Sequence, residues 1–202
     1  MGGAVPVNLT FNAAEHTYEM DGRPVPSVSR IIAPAKPWMR EGAALEAARE
    51  RGNAIHEFVE ELNNGFEPDV PDDLAGYVDA YRGFMDAMMP DVLYSEIRVG
   101  HAGYQYAGTC DLVADIGGEV WVIDYKTGLV GPWDALQTAG YAAALVSMSR
   151  IKPQKGRYPL RATLSLSGDG KWKLIEHKDH AGDATTFLGL LSFYRWKEKN
   201  GL

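Results

Sequence analysis

Tyr106-Ala-Gly-Thr-Cys-Asp111-Leu-Val-Ala-Asp-Ile116-Gly117-Gly118-Glu119-Val-Trp-Val-Ile-Asp124-Tyr-Lys126-Thr-Gly128 is the stretch whose reading decides the fold. Two apolar runs rich in β-branched and aromatic residues flank a Gly-Gly pair, a strong short-range signal for a two-residue β-hairpin. With Gly117-Gly118 as the loop, Ile116 faces Glu119, and counting back along both strands sets Asp111 opposite Asp124. Directly opposed residues of an antiparallel pair hold their Cβ atoms about 4.5–5.5 Å apart, so the two carboxylates are expected at one spot. Lys126 follows Asp124 by two and points to the same face. Carboxylates this close resist joint ionisation unless a cation lies between them. The cation suited to oxygen ligands is a hard divalent ion, Mg²⁺ or Mn²⁺.

An isolated Asp-x-Lys is commonly a strand ion pair. Here Leu112, Val113, Ala114, Val120, Trp121, Val122 and Ile123 make both strands apolar on both faces. That is the pattern of central strands, where charges are costly unless paired or metal-bound. A single β-bulge would break the register.

Upstream of the hairpin, residues 92–99 alternate as a strand, with Tyr94, Glu96 and Arg98 on one face and Leu93, Ile97 and Val99 on the other. Two helices are expected before it, over 41–62 and 71–89, the second stopped by Pro90. Gly52 interrupts the first, which suggests a close approach, and His56 lies one turn beyond it. Residues 1–37 read as strand and loop, with a hairpin strand over 17–22 and a short helix opening from Ser27.

Downstream, a helix over 133–149 places Gln137 and Tyr141 one turn apart, so both can point the same way. Strands over 158–166 and 171–176 follow, then a last helix over 183–199 with Phe187, Leu190, Leu191, Tyr194 and Trp196 on its packed face.

The 202 residues suit one domain: an N-terminal elaboration over 1–90, a core over 91–178 and a C-terminal helix over 179–202. The single cysteine, Cys110, excludes a disulfide framework, a four-cysteine zinc site and an iron–sulfur cluster built from four cysteines of one chain. Its place in an apolar strand marks it as a small packing residue. No apolar run approaches 18 residues and no charged-then-apolar leader precedes the chain, which predicts a soluble, cytoplasmic protein without a membrane partner. Net charge is −7, yet residues 150–178 carry eight Lys or Arg against two acids, leaving −13 on the rest. A basic flank beside a metal-seeking acidic centre suits a polyanion.

Strand, hairpin with Asp and Asp-x-Lys, then helix is the order of the PD-(D/E)XK nuclease superfamily, and this chain resembles its RecB-like, phage-type exonuclease branch. The pieces that carry the resemblance are Gly108-Thr-Cys-Asp111, Asp124-Tyr-Lys126, Gln137-x-x-x-Tyr141, Arg51-Gly52-x-x-x-His56 and Pro26-Ser-Val-Ser-Arg30-Ile-Ile32. The last is similar to a segment of phage exonucleases and the mitochondrial genome maintenance exonuclease. The resemblance covers about residues 24–145. It implies an α/β (α+β) fold with a restriction-endonuclease-like core, a central mixed β-sheet flanked by helices, and an N-terminal helical elaboration.

It also implies a metal-dependent DNA exonuclease of phage or prophage recombination or replication, in a bacterial or phage-infected cytoplasm, with a single-strand annealing protein as a further partner. Asp111 and Asp124 would be metal ligands with His56 and Glu96, Lys126 would orient or activate water, and Gln137 and Tyr141 would complete the site or contact DNA. Arg30, Arg49 and Arg51 would meet DNA, and Trp38 would stack on a base. The proline usual before the first motif aspartate is replaced by Cys110. An endonuclease of the same fold, a non-catalytic nucleic-acid-binding module and an unrelated metal-binding protein are the alternatives.

Overall fold

The structure, a computed structural model, describes residues 8–37, 42–152 and 158–202. The hairpin forms as counted. Strands β5 (Tyr106–Ile116) and β6 (Glu119–Lys126) pair from Ile116↔Glu119 to Leu112↔Ile123, one step short of the Asp111 and Asp124 position. Gly117 and Gly118 both take positive φ, +65° and +85°, the combination that a two-residue turn matching the strand twist requires.

Three strands complete this sheet: β4 (Asp91–His101) beside β5, then β7 (Leu160–Leu166) and β8 (Trp172–Glu176) beyond β6. All pairings are antiparallel except β6 with β7, which are parallel and joined through helix α4 (Trp133–Ser147). Such a pair needs a crossover, and the helix supplies it.

Because β5 and β6 are apolar on both faces, the sheet carries a core on each. Val113, Val122 and Cys110 pack with Leu136, Tyr141 and Leu145 of α4, with helix α1 (Val28–Ile32), and with Phe187 and Leu191 of the last helix, α5 (His180–Asn200). Leu112, Ala114, Ile123 and Tyr125 point the other way, onto Ile55 and Val59 of α2 (Ala43–Asn63) and Val78, Tyr81 and Phe84 of α3 (Asp72–Met88). Each fully buried aliphatic or phenylalanine side chain contributes about 1.5–3 kcal/mol, so both layers are strongly driven. The result is the mixed α/β architecture expected of a restriction-endonuclease-like core, a central mixed sheet flanked by helices.

Several local expectations are corrected. The N-terminal region holds a three-stranded antiparallel sheet, β1 (Leu9–Asn12), β2 (Thr17–Met20) and β3 (Arg23–Val25), where one hairpin strand was predicted. Strict alternation fails on β4, because a bulge between Val92 and Tyr94 turns Tyr94 into the same core as Ile97 and Val99 and leaves Leu93 exposed. Helix α5 starts at His180, since the Asp179 carboxylate caps it by accepting from Gly182 N at 2.9 Å. Trp196 is exposed and stacks on Phe193. Gly52 makes no forced close approach: a Cβ there would meet Thr127 Oγ1 at an ordinary 3.8 Å. A close approach within the hairpin's own motif lies at Gly108, where a Cβ would stand 2.8 Å from the Tyr141 ring.

Candidate active site

Beyond its bulge, β4 resumes pairing at Tyr94↔Val113, and Glu96 falls between the pairs Ser95↔Leu112 and Ile97↔Cys110, on the stretch that faces Asp111. Glu96 takes φ +46°, a left-handed conformation that costs a non-glycine residue about 1–3 kcal/mol and persists only where its surroundings impose it. His56, reaching in from α2, meets it with Nδ1 3.0 Å from Glu96 Oε1. Asp111 Oδ1 lies 3.8 Å from the same nitrogen, while Asp111 Oδ2 accepts from the Tyr125 backbone N–H at 2.6 Å. One ligand atom from each of His56, Glu96 and Asp111 falls within 4.8 Å of the others.

The electrostatics of this group are strained. Burial resists charge on His56, but Asp111 and then Glu96 outweigh it and raise the imidazole to about 9. Burial raises Asp111 to about 8, with Asp124 and Glu96 adding to the shift and His56 and Lys126 opposing it. A donor set of two crowded carboxylates and an imidazole is therefore short of positive charge, and a divalent cation would supply it.

Asp124, at the end of β6, stands outside that group. Its Oδ1 accepts from Gln137 Nε2 at 2.7 Å and its Oδ2 forms an ion pair with Lys126 Nζ. Gln137 Nε2 also donates to the Tyr141 hydroxyl at 3.0 Å, and Lys126 Nζ donates to Gln137 Oε1 at 3.4 Å. The strand order thus joins two side-chain groups: His56, Glu96 and Asp111, and next to them Asp124, Lys126, Gln137 and Tyr141. Burial resists charge on Lys126, but Asp124 and Asp111 outweigh it and raise its pKa, so the ammonium stays charged at neutral pH.

His56, Glu96 and Asp111, and from the second group Lys126 and Tyr141, line a cleft of about 1150 Å³. Arg30, Arg49 and Arg51 line it. Arg51 also lies 5.5 Å over the Tyr77 ring and donates to Thr127 O at 3.5 Å, and Arg49 lies 3.7 Å from Glu46. Trp38 falls outside the described residues. Among its described residues the basic 150–178 segment does not line the cleft: Arg161 is buried, bound to Asp183 and to Ala135 O, while Lys171 and Lys178 pair with Asp169 and Glu176.

Lys36 and Asp134, which also line the cleft, were given no role from the sequence, and Arg98 was placed only on a strand face. Asp134 is fully buried, with Oδ2 accepting from Gly131 N at 2.8 Å and Oδ1 without a hydrogen-bond partner. Its proximity to Lys36 and Lys126 depends on the turn between β6 and α4, for which the sequence carried no signal beyond Pro132.

No family model and no curated protein matches this chain. Among solved structures it is similar to LHK-Exo in complex with dAMP, at 15% identity over 88% of this chain and 93% of that one, with a TM-score of 0.40. It is also similar to the alkaline exonuclease LHK-Exo from Laribacter hongkongensis, at 15% identity over 87% and 91%, with a TM-score of 0.33. These values are too low for the likeness to bear on activity.

Proposed function

We propose that this chain is a divalent-metal-dependent nuclease that hydrolyses DNA from an end. The observation that carries the reading is the meeting, in one cleft, of the His56, Glu96 and Asp111 ligand atoms within 4.8 Å with a charged lysine held by Asp124 and Gln137. His56, Glu96 and Asp111 would hold Mg²⁺ or Mn²⁺, with Asp124 beside them. When bound, the ion supplies Lewis-acid polarisation of a phosphoryl oxygen and of water.

In the reaction water adds to phosphorus and the P–O bond to the leaving sugar oxygen breaks. That oxygen takes up a proton, and the proton of the attacking water passes to solvent. The chain's own part is positional and electrostatic. Lys126 is a cation rather than a base at neutral pH, so it stabilises negative charge growing on the phosphoryl group. Asp124 and Gln137 fix its Nζ, and Tyr141 fixes Gln137. The Tyr125 N–H orients Asp111 and leaves its other oxygen toward His56.

DNA fits the cleft as a polyanion, because Arg30, Lys36, Arg49, Arg51 and Arg98 surround the acidic centre. Elements of the N-terminal 90 residues wall one side, which favours a strand terminus over an internal phosphate. End-labelled linear DNA incubated with Mg²⁺, with Mn²⁺ and with EDTA tests the reading. Metal-dependent release of label supports it, and intact DNA in every condition contradicts it.

A further inference from the structure

Two residues beyond Glu96 on β4, the exposed Arg98 places its guanidinium over the Phe11 ring at 5.2 Å. Phe11 is the cross-strand partner of Tyr18, with ring centroids 4.7 Å apart. The Tyr18 hydroxyl bonds Thr109 Oγ1 at 2.8 Å, and Thr109 faces Arg98 in the β4–β5 register. The circuit Arg98, Phe11, Tyr18, Thr109 closes on itself and ties the N-terminal sheet to the strands that carry Glu96 and Asp111. His16 meets Phe11 edge-on at 5.2 Å. All five side chains line the same cleft as His56 and Asp111.

An arginine beside an acidic group ordinarily turns onto a carboxylate. This one lies over an aromatic ring, its side chain exposed and lining the cleft, with Glu60 close enough to feel its charge. A guanidinium plane backed in this way offers a nucleobase a stacking face with positive charge, as arginine does where unpaired bases are recognised. A base inside a duplex has both faces covered by its neighbours, so only an unpaired or terminal base can use the face.

Resting on the nuclease reading above, we propose that Arg98 is a stacking surface for an unpaired DNA base, set two residues along β4 from Glu96, with Phe11 and Tyr18 holding it in place. The substrate class this selects is a single-stranded or frayed DNA terminus.

The test is equilibrium binding of a labelled single-stranded oligonucleotide in Ca²⁺, followed by anisotropy, with an abasic residue moved one position at a time from the end. The wild type should lose about 5- to 100-fold in affinity at one or two positions, the range that base–aromatic stacking supplies, and little elsewhere. Arg98→Lys keeps the charge and discards the plane. It should bind the intact strand as weakly as the wild type binds the abasic one, lose nothing more at the abasic position, and keep the wild-type salt dependence. Phe11→Leu should lose part of the same discrimination.

Arg98 is exposed, so Arg98→Lys is expected to fold, and the abasic scan of the wild type needs no variant. A flat abasic scan, or Arg98→Lys binding and discriminating like the wild type, overturns the proposal. So does an Arg98→Gln variant that weakens all strands equally with a shallower salt dependence, which would make Arg98 a phosphate contact. A wild type that binds no DNA overturns the nuclease reading and this proposal with it; a wild type that cleaves DNA while failing the scan overturns this proposal alone.

Discussion

Gln137 Nε2 donates to Asp124 Oδ1 at 2.7 Å, so the early part of α4 is tied to the C-terminal end of β6. The same nitrogen donates to the Tyr141 hydroxyl and the same side chain accepts from Lys126. One amide therefore sets the positions of an anion, a cation and a phenol. Lys126 is held from two directions, which is what an electrostatic role at a reacting phosphate requires.

Lys126→Ala is expected to lower the rate of DNA hydrolysis by about 10²-fold or more, the range seen when a positioned transition-state contact is removed, with Mn²⁺ affinity nearly unchanged. Asp124→Asn should lose rate as well, because the amide cannot neutralise Lys126. Single-turnover kinetics beside calorimetric Mn²⁺ titration checks both. A Lys126→Ala enzyme that loses Mn²⁺ binding and keeps its rate would make the lysine a structural ion pair.

Glu96→Gln and Asp111→Asn each remove one carboxylate from a three-ligand group, and each is expected to weaken Mn²⁺ binding by at least about 10-fold, the lower end of what losing even a supporting hydrogen bond costs a metal site. His56→Ala should do the same. Calorimetry on the folded variants measures this directly, and unchanged affinity in all three would move the metal elsewhere.

Gly108→Ala would drive a methyl to 2.8 Å from the Tyr141 ring and 3.3 Å from Val28 Cγ2. Overpacking of this kind costs about 1–3 kcal/mol. Because Tyr141 holds Gln137, activity should fall along with stability, whereas Tyr141→Phe, which keeps the ring, should lose activity with only the roughly 0.5–1.5 kcal/mol of a hydrogen bond. Urea unfolding and rate measurements on the pair separate packing from hydrogen bonding.

His177 bonds Thr163 Oγ1 through Nε2 at 2.9 Å, and burial, reinforced by Arg161, holds its pKa below the ordinary 6.5. A histidine with a depressed folded pKa binds fewer protons folded than unfolded, so its contribution is complete above pH 6.5 and is lost as pH falls through the folded value. The stability advantage of the wild type over His177→Gln should therefore shrink between pH 7.5 and pH 5. Thermal unfolding of both proteins across that window gives the difference, and an advantage that grows on acidification would contradict the assignment.

The hairpin was legible because a Gly-Gly turn and a period of two act locally and leave one register. Gln137 and Tyr141 were legible for a similar reason, being one helical turn apart. The meeting of His56 with Glu96 was readable only through resemblance, since 40 residues separate them and the contact depends on α2 crossing a face of the sheet. The bulge on β4 was not legible, because nothing in Val92-Leu93-Tyr94 departs from an ordinary strand sequence. Within the 150–178 charge run, counting charges did not distinguish the buried Arg161 from a side chain in solvent. Arg98 was read only as part of a strand face because its partner, Phe11, lies on a four-residue strand too short to announce itself.

The most direct measurement sets an end-labelled linear DNA beside a covalently closed circle of the same sequence, in Mg²⁺ or Mn²⁺, and follows both over one time course. A cleft walled by the N-terminal elements is expected to degrade the linear strand from an end into mono- or short oligonucleotides, leave the circle intact, and do neither when Asp111→Asn replaces the wild type. Rapid nicking of the circle, or intact linear DNA in the presence of either metal, would contradict it.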